Sequence, residues 1–221
     1  MHVRILAIAL ACGIFSLSGC GGGDNNNGAP QKVTTQILSD SRFDGDIEQT
    51  SSNSFTVTQG TSSTVQSVLA GIDPAGGTEF RAFLDFPLTG SGGVPANASI
   101  DSAFLDVYLD DLEPTTGRLP IRVDLVAFQP PTLIETDFDR TLQPALASVI
   151  LSPDISSSDV GTFVPIDVTP LMVEAQRRGL VDFQVRIMED LGPAIPVLMV
   201  IDDSTGASRP TRAPLLTVTY F

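Results

Sequence analysis

The sequence predicts an all-β fold, a two-sheet antiparallel β-sandwich with one short helix near residues 170–178. Three features predict it. From Asn53 onward apolar residues recur mostly with a period of two. Clusters of Gly, Pro, Ser and Asn punctuate the alternating runs. A chain of 221 residues that is 42% hydrophobic is large enough to bury roughly 70% of its unfolded surface around one core.

Each strand follows from that alternation. Phe55 and Val57 alternate with Thr and Ser, and Phe80, Ala82, Leu84 and Phe86 alternate with Arg81, Phe83 and Asp85. Leu105, Val107 and Leu109 oppose Asp106, Tyr108 and Asp110. The run Leu119, Ile121, Val123, Leu125 and Ala127 is the longest, with Arg122 and Asp124 on its other side. A helix would scatter these side chains around its cylinder. Further strands are expected over Phe163–Asp167, Phe183–Met188, Val197–Ile201 and Leu215–Phe221. Val197–Ile201 is continuously apolar, which places it centrally and covered on both faces. The Pro-rich segment from Gln129 to Gly161 reads as a connection draped over a sandwich end, with strand character only near Ser148–Leu151.

The helix is marked by its punctuation. Thr169 is the expected cap, Pro170 takes the first helical position, Arg177 and Arg178 fall in the last turn, and Gly179 terminates it. Leu171 and Ala175, joined by Met172, form the side that faces a sheet.

The N-terminus carries an address. Arg4 precedes an apolar run from Ile5 to Ser16, shorter than the roughly 20 residues of a spanning helix. The run ends in Leu17-Ser18-Gly19-Cys20, which resembles the lipobox of bacterial lipoproteins. That resemblance implies acylation of Cys20 and cleavage just before it. Residues 1–19 are then a signal peptide, 20–36 an acylated cysteine with a flexible Gly/Asn-rich tether, and 37–221 a single sandwich domain. Gly21, rather than aspartate, after Cys20 is similar to the outer-membrane pattern of enteric lipoproteins. The location expected is the cell envelope, anchored in the outer membrane by lipid.

Loss of the leader removes His2 and Cys12, so the mature chain has neither histidine nor free thiol. Ser-His-Asp and Cys-His catalysis and histidine-ligated zinc are excluded. The only lysine, Lys32, lies in the tether. Removing Arg4 leaves 26 acidic and 11 basic residues, a formal charge of −15, which argues against binding nucleic acid. The local acid pairs Asp110-Asp111, Asp202-Asp203, Glu189-Asp190 and Asp137-x-Asp139 do not by themselves make a convergent site, because neighbouring strand residues point to opposite faces. Asp40, Asp44 and Asp46 beside a Gly turn are candidate ligands for a structural calcium. Arg81, Arg122 and Arg186 could form a cationic strip, with Asp85, Asp124 and Glu189 at hand to pair with them.

Four stretches, Arg81–Phe86, Ala98–Tyr108, Ile166–Leu171 and Arg212–Tyr220, resemble in order and spacing the DNRLRE-type domain, a bacterial secreted jelly-roll module related to carbohydrate-binding modules. Where that family commonly carries tryptophan, this sequence has Ala175 and Phe138. The resemblance implies a jelly-roll scaffold and, in some members, alginate binding. The leading expectation is therefore a non-catalytic, lipid-anchored envelope module with an interaction or structural role, its partners the membrane and an envelope protein or polysaccharide. The alternatives are a carbohydrate-binding module, with or without a dependence on calcium, and, further off, a two-carboxylate glycan-active enzyme.

Overall fold

A computed structural model describes residues 30–128, 132–190 and 195–221. The leader, Cys20 and the first part of the tether lie outside these residues. The folded body is Gln31–Phe221, and every strand pair described in it is antiparallel.

The first layer is built from β1 (Val33–Leu38), β14 (Leu215–Tyr220), β6 (Ile100–Glu113) and β11 (Phe163–Asp167), paired in that order. The second centres on β5 (Glu79–Pro87) and β12 (Asp182–Glu189). From β12 it continues through β8 (Ile121–Val126) to β9 (Ala147–Ile150), and from β5 through β2 (Gly45–Gln49) to β3 (Phe55–Gln59). Strand β6, at 14 residues, belongs to both layers: its first half pairs with β14 and β11, its second with β13 (Leu198–Asp202), which pairs on to β4 (Ser67–Ile72) and so to β5. The sheet thus curls on itself, and the sandwich is one continuous ladder. A two-stranded ribbon, β7 (Arg118–Leu119) with β10 (Ile155–Ser156), stands apart.

Alternation fills the space between the layers. Ala103, Leu105 and Val107 of β6 face inward beside Leu216 and Val218 of β14, opposite Leu84, Phe86, Val123, Leu125, Phe183 and Val185 of the second layer. All are fully buried, and the larger side chains among them each contribute about 1.5–3 kcal/mol. The helix α1 (Thr169–Arg178) closes the core with Leu171, Met172 and Ala175. Gly179 ends it in the left-handed conformation at φ 64°, as its sequence position predicts.

Several expectations are refined. Tether residues 33–36 lie in β1, because the Thr-rich run pairs with β14 from Val33↔Tyr220 onward. The run expected over Leu119–Ala127 breaks at Pro120, which has no N–H to give to a ladder, into β7 and β8. Strand β13 is central in pairing, but only Met199 and Ile201 of its apolar residues are fully buried, while Leu198 and Val200 are half-buried. Thr169 does not cap the helix: its hydroxyl accepts from the Ala103 N–H at 2.9 Å, and Asp167 Oδ1 instead accepts from the Thr169 N–H at 2.9 Å. The connection between β8 and β9 drapes over a sheet face rather than a sandwich end. Its Leu133 and Phe138 join Ile47, Phe83, Val126 and Phe128 in a second apolar cluster on the outside of the second layer.

Two glycines separate conformational from steric demand. Gly179→Ala should cost about 1 kcal/mol for its left-handed backbone, or about 2–4 °C in melting temperature for a chain of this size. Gly71→Ala should cost clearly more, since at φ 114° its Cβ would also collide with the Val197 carbonyl oxygen. Thermal unfolding of both variants checks this, and equal losses would contradict it.

Candidate functional site

The polar residues that the sequence singles out fall into two buried networks, and a third, exposed surface is the candidate site. The first network holds the expected calcium ligands. Asp40 is tied to Arg42 through Oδ1, which accepts from Nε at 2.9 Å, and this contact keeps its carboxyl below the usual range. Asp46 Oδ2 accepts from the Leu69 N–H at 3.1 Å. Asp44 Oδ1 accepts from the Asp85 N–H at 2.8 Å, while its other oxygen lies 4.0 Å from the Arg209 guanidinium, which Asp44 shares with Asp203. The three acids therefore serve three different partners. Among the described residues no group of three His, Cys, Asp or Glu side chains is placed to hold a metal ion.

Asp44 and Asp203 are both fully buried, and each keeps one carboxylate oxygen without a donor. Arg209 Nη1 donates to Asp203 Oδ1 at 2.7 Å and its Nη2 donates to the Ser39 carbonyl. A divalent cation would have to displace this guanidinium. Arg209 thus stands as the cation that the two buried carboxylates share. Burial, and then the nearby Asp203 carboxylate, pushes Asp44 well up; burial also raises Asp203.

The second network absorbs the arginines. Arg186 is fully buried and its Nη2 donates to Asp124 Oδ2 at 2.8 Å. Its Nη1 donates to the carbonyls of Asp137 at 2.9 Å and Gln143 at 3.2 Å, both in the draped connection. Burial disfavours the charged Asp124, but hydrogen bonds from Ser148, Arg122 and Arg186 outweigh it and hold its carboxyl below the usual range. Arg81 pairs with Glu79, donates to the Phe138 carbonyl and stacks 3.9 Å from that ring's centroid. Arg122, Arg186 and Arg81 are thus paired on the covered face of the second layer, and no open cationic strip results among the described residues. Of the acids expected as partners, Asp124 pairs with Arg122, Arg186 and, at 3.7 Å, Arg140, whereas Asp85 accepts from the side-chain amide of Gln184 at 2.7 Å.

Members of the local acid pairs are likewise engaged. Asp137 Oδ2 accepts from the Ile134 N–H, Asp139 Oδ1 from the Thr141 N–H, and Asp202 Oδ1 from the Ser204 N–H.

The exposed surface is the solvent side of the first layer. Strand parity that turns Leu105 and Val107 inward turns Phe104, Asp106 and Tyr108 outward. Register places Phe163 beside Tyr108, Pro165 beside Asp106 and Asp167 beside Phe104, with Leu215 and Thr217 on the other side of β6. Phe104 and Phe163 remain 41% and 42% exposed. Tyr108 meets Phe163 edge-on, with centroids 5.3 Å apart, and carries the Arg212 guanidinium 4.9 Å from its ring centroid. Alternation taken alone assigns such phenylalanines to the core. The signal that corrects it is parity: Phe104 shares a face with Asp106, and Tyr108 with Asp110.

Comparison with protein-family models gives no match, and comparison with curated proteins gives none.

Both buried networks should be visible in stability measurements. Asp124→Leu should cost about 3–5 kcal/mol by stranding the buried Arg186 charge, and adding Arg186→Met should recover part of it; urea denaturation of the single and double variants measures this. The raised carboxyls set a pH dependence. Burial pushes Asp46 up to about 7 and Asp85 up to about 6, from 3.8. Above the unfolded value and below the folded ones, the folded state keeps protons that the unfolded chain releases, so stability falls as pH rises from about 4 to 7. The melting temperature should be higher at pH 5 than at pH 8, and Asp46→Asn should flatten that slope. A melting temperature that rises over this interval would contradict the assignment.

Proposed function

We propose that the chain is a non-catalytic, lipid-anchored lipoprotein of the cell envelope, held at the outer membrane through Cys20, whose sandwich body serves an interaction role. What supports the reading is the disposition of its reactive groups. The mature chain would contain no imidazole and no free thiol, and the carboxylates and guanidiniums of both buried networks are consumed in holding strands and connections together. The surface left for contact is the aromatic-bearing side of the first layer.

A second reading, a glycan-binding module, is favoured by one observation. Phe104, Tyr108 and Phe163 project from a sheet face where the core does not need them, and aromatic rings on an open face suit the C–H faces of sugars while a phenol adds a hydrogen bond.

Cys20→Ser tests the anchor. The native protein should partition into the detergent phase with the mass of an acylated N-terminal cysteine, and the variant should move to the aqueous phase without it. Detergent partitioning and acyl mass that survive the substitution would overturn the lipoprotein reading.

A further inference from the structure

The solvent side of the first layer mixes two chemistries that do not usually share a protein–protein interface. Its aromatic residues are large and partly exposed, yet carboxylates stand between them: Asp106 separates Phe104 from Tyr108 along β6, and Asp167 lies directly across from Phe104. The core of a protein interface is depleted of charge, because each carboxylate must be desolvated. A polyhydroxylated ligand reverses that cost. Its hydroxyls donate to Asp106 and Asp167, and its C–H surfaces lie against the rings.

Charge then separates neutral from acidic sugars. The basic groups that border the face are already engaged. Lys32 Nζ donates to Asp101 at 2.7 Å, and Arg212, which lies over the Tyr108 ring, is 3.5 Å from Asp202 and 3.9 Å from Asp110. The arginines singled out as a cationic strip, Arg81, Arg122 and Arg186, are on the other layer, and Arg186 is fully buried there. Asp106, Asp110 and Asp167 lie within about a Debye length, 8–10 Å, of any chain resting on the rings and would repel a polyanion.

We infer that the solvent face of the β1-β14-β6-β11 layer binds a neutral polysaccharide running along β6, with Phe104 and Phe163 as stacking surfaces and Asp106 and Asp167 as hydrogen-bond acceptors. The inference rests on the glycan-binding reading and narrows it. Phe163 lies across from Tyr108, four residues from Phe104, so the two exposed rings are about 13 Å apart along the strand direction and the site takes several linked sugars rather than one.

The test uses the full-length protein in mild detergent and isothermal titration with cellohexaose, xylohexaose and mannohexaose, with an alginate hexamer as the anionic arm. Saturable binding to at least one neutral hexamer, and none to alginate, is expected. Phe104→Ala and Phe163→Ala should each weaken binding at least tenfold, with the circular dichroism spectrum unchanged and unfolding still cooperative. Asp106→Asn should weaken neutral binding, which a merely structural role for that carboxylate would not do. Silence toward all three neutral hexamers, a preference for alginate, or neutral binding indifferent to both Phe substitutions would each overturn the inference. Those failures leave Cys20-dependent partitioning untouched, whereas loss of partitioning with glycan binding intact would sink the anchor alone.

Discussion

The ion pair between Arg186 and Asp124 is the constraint around which the second layer is arranged. It is wholly enclosed, so neither charge can be hydrated, and each must be satisfied by the protein. Asp124 meets this requirement with Arg122 and Ser148 from its own sheet. Arg186 meets it in part, with two carbonyls of the draped connection, while its Nε keeps no acceptor. The connection is therefore held by polar bonds beneath it as well as by the apolar contacts of Leu133 and Phe138. A sheet face that would otherwise be wet becomes a covered one, and the connection acts as a third layer of the fold.

That arrangement divides the molecule chemically. Cations are drawn inward on one side, where Arg81, Arg122 and Arg186 neutralise carboxylates and Arg81 stacks on Phe138. The opposite side keeps its rings and its acids in solvent. Arg209 plays the same inward part at the junction of the β1–β2 and β13–β14 connections, where it stands between Ser39, Asp44 and Asp203. An acidic chain with few basic residues thus uses several of them as internal struts, set against carboxylates that are buried with them.

Much of this is legible in the sequence. Period-two runs locate β5, β8, β11, β12 and β14 closely, and the punctuation from Pro170 to Gly179 locates the helix. Strands β1, β2 and β4 escape that reading, because half of β1 is Thr and Gln and the other two are interrupted by Asp46 and Gly71. The buried acids escape it too, since a carboxylate near a turn is ordinarily solvated. A clue exists in Phe83, which shares parity with Arg81 and Asp85, and in Val126, which shares it with Asp124. An apolar residue among polar ones of equal parity marks a face that something covers. What covers it depends on tertiary packing of a Pro-rich connection, for which local periodicity carries no signal.

The pairing of β1 has a kinetic meaning. Its partner, β14, comprises residues 215–220, near the end of the described chain, and their register runs from Val33↔Tyr220 to Leu38↔Leu215. A polypeptide emerging N-terminus first therefore leaves β1 unpaired until residues 215–220 have appeared, and only then can the first layer be completed. Loop-closure entropy must be met before those contacts form. The edge of the first layer is therefore the part of the body that is completed late.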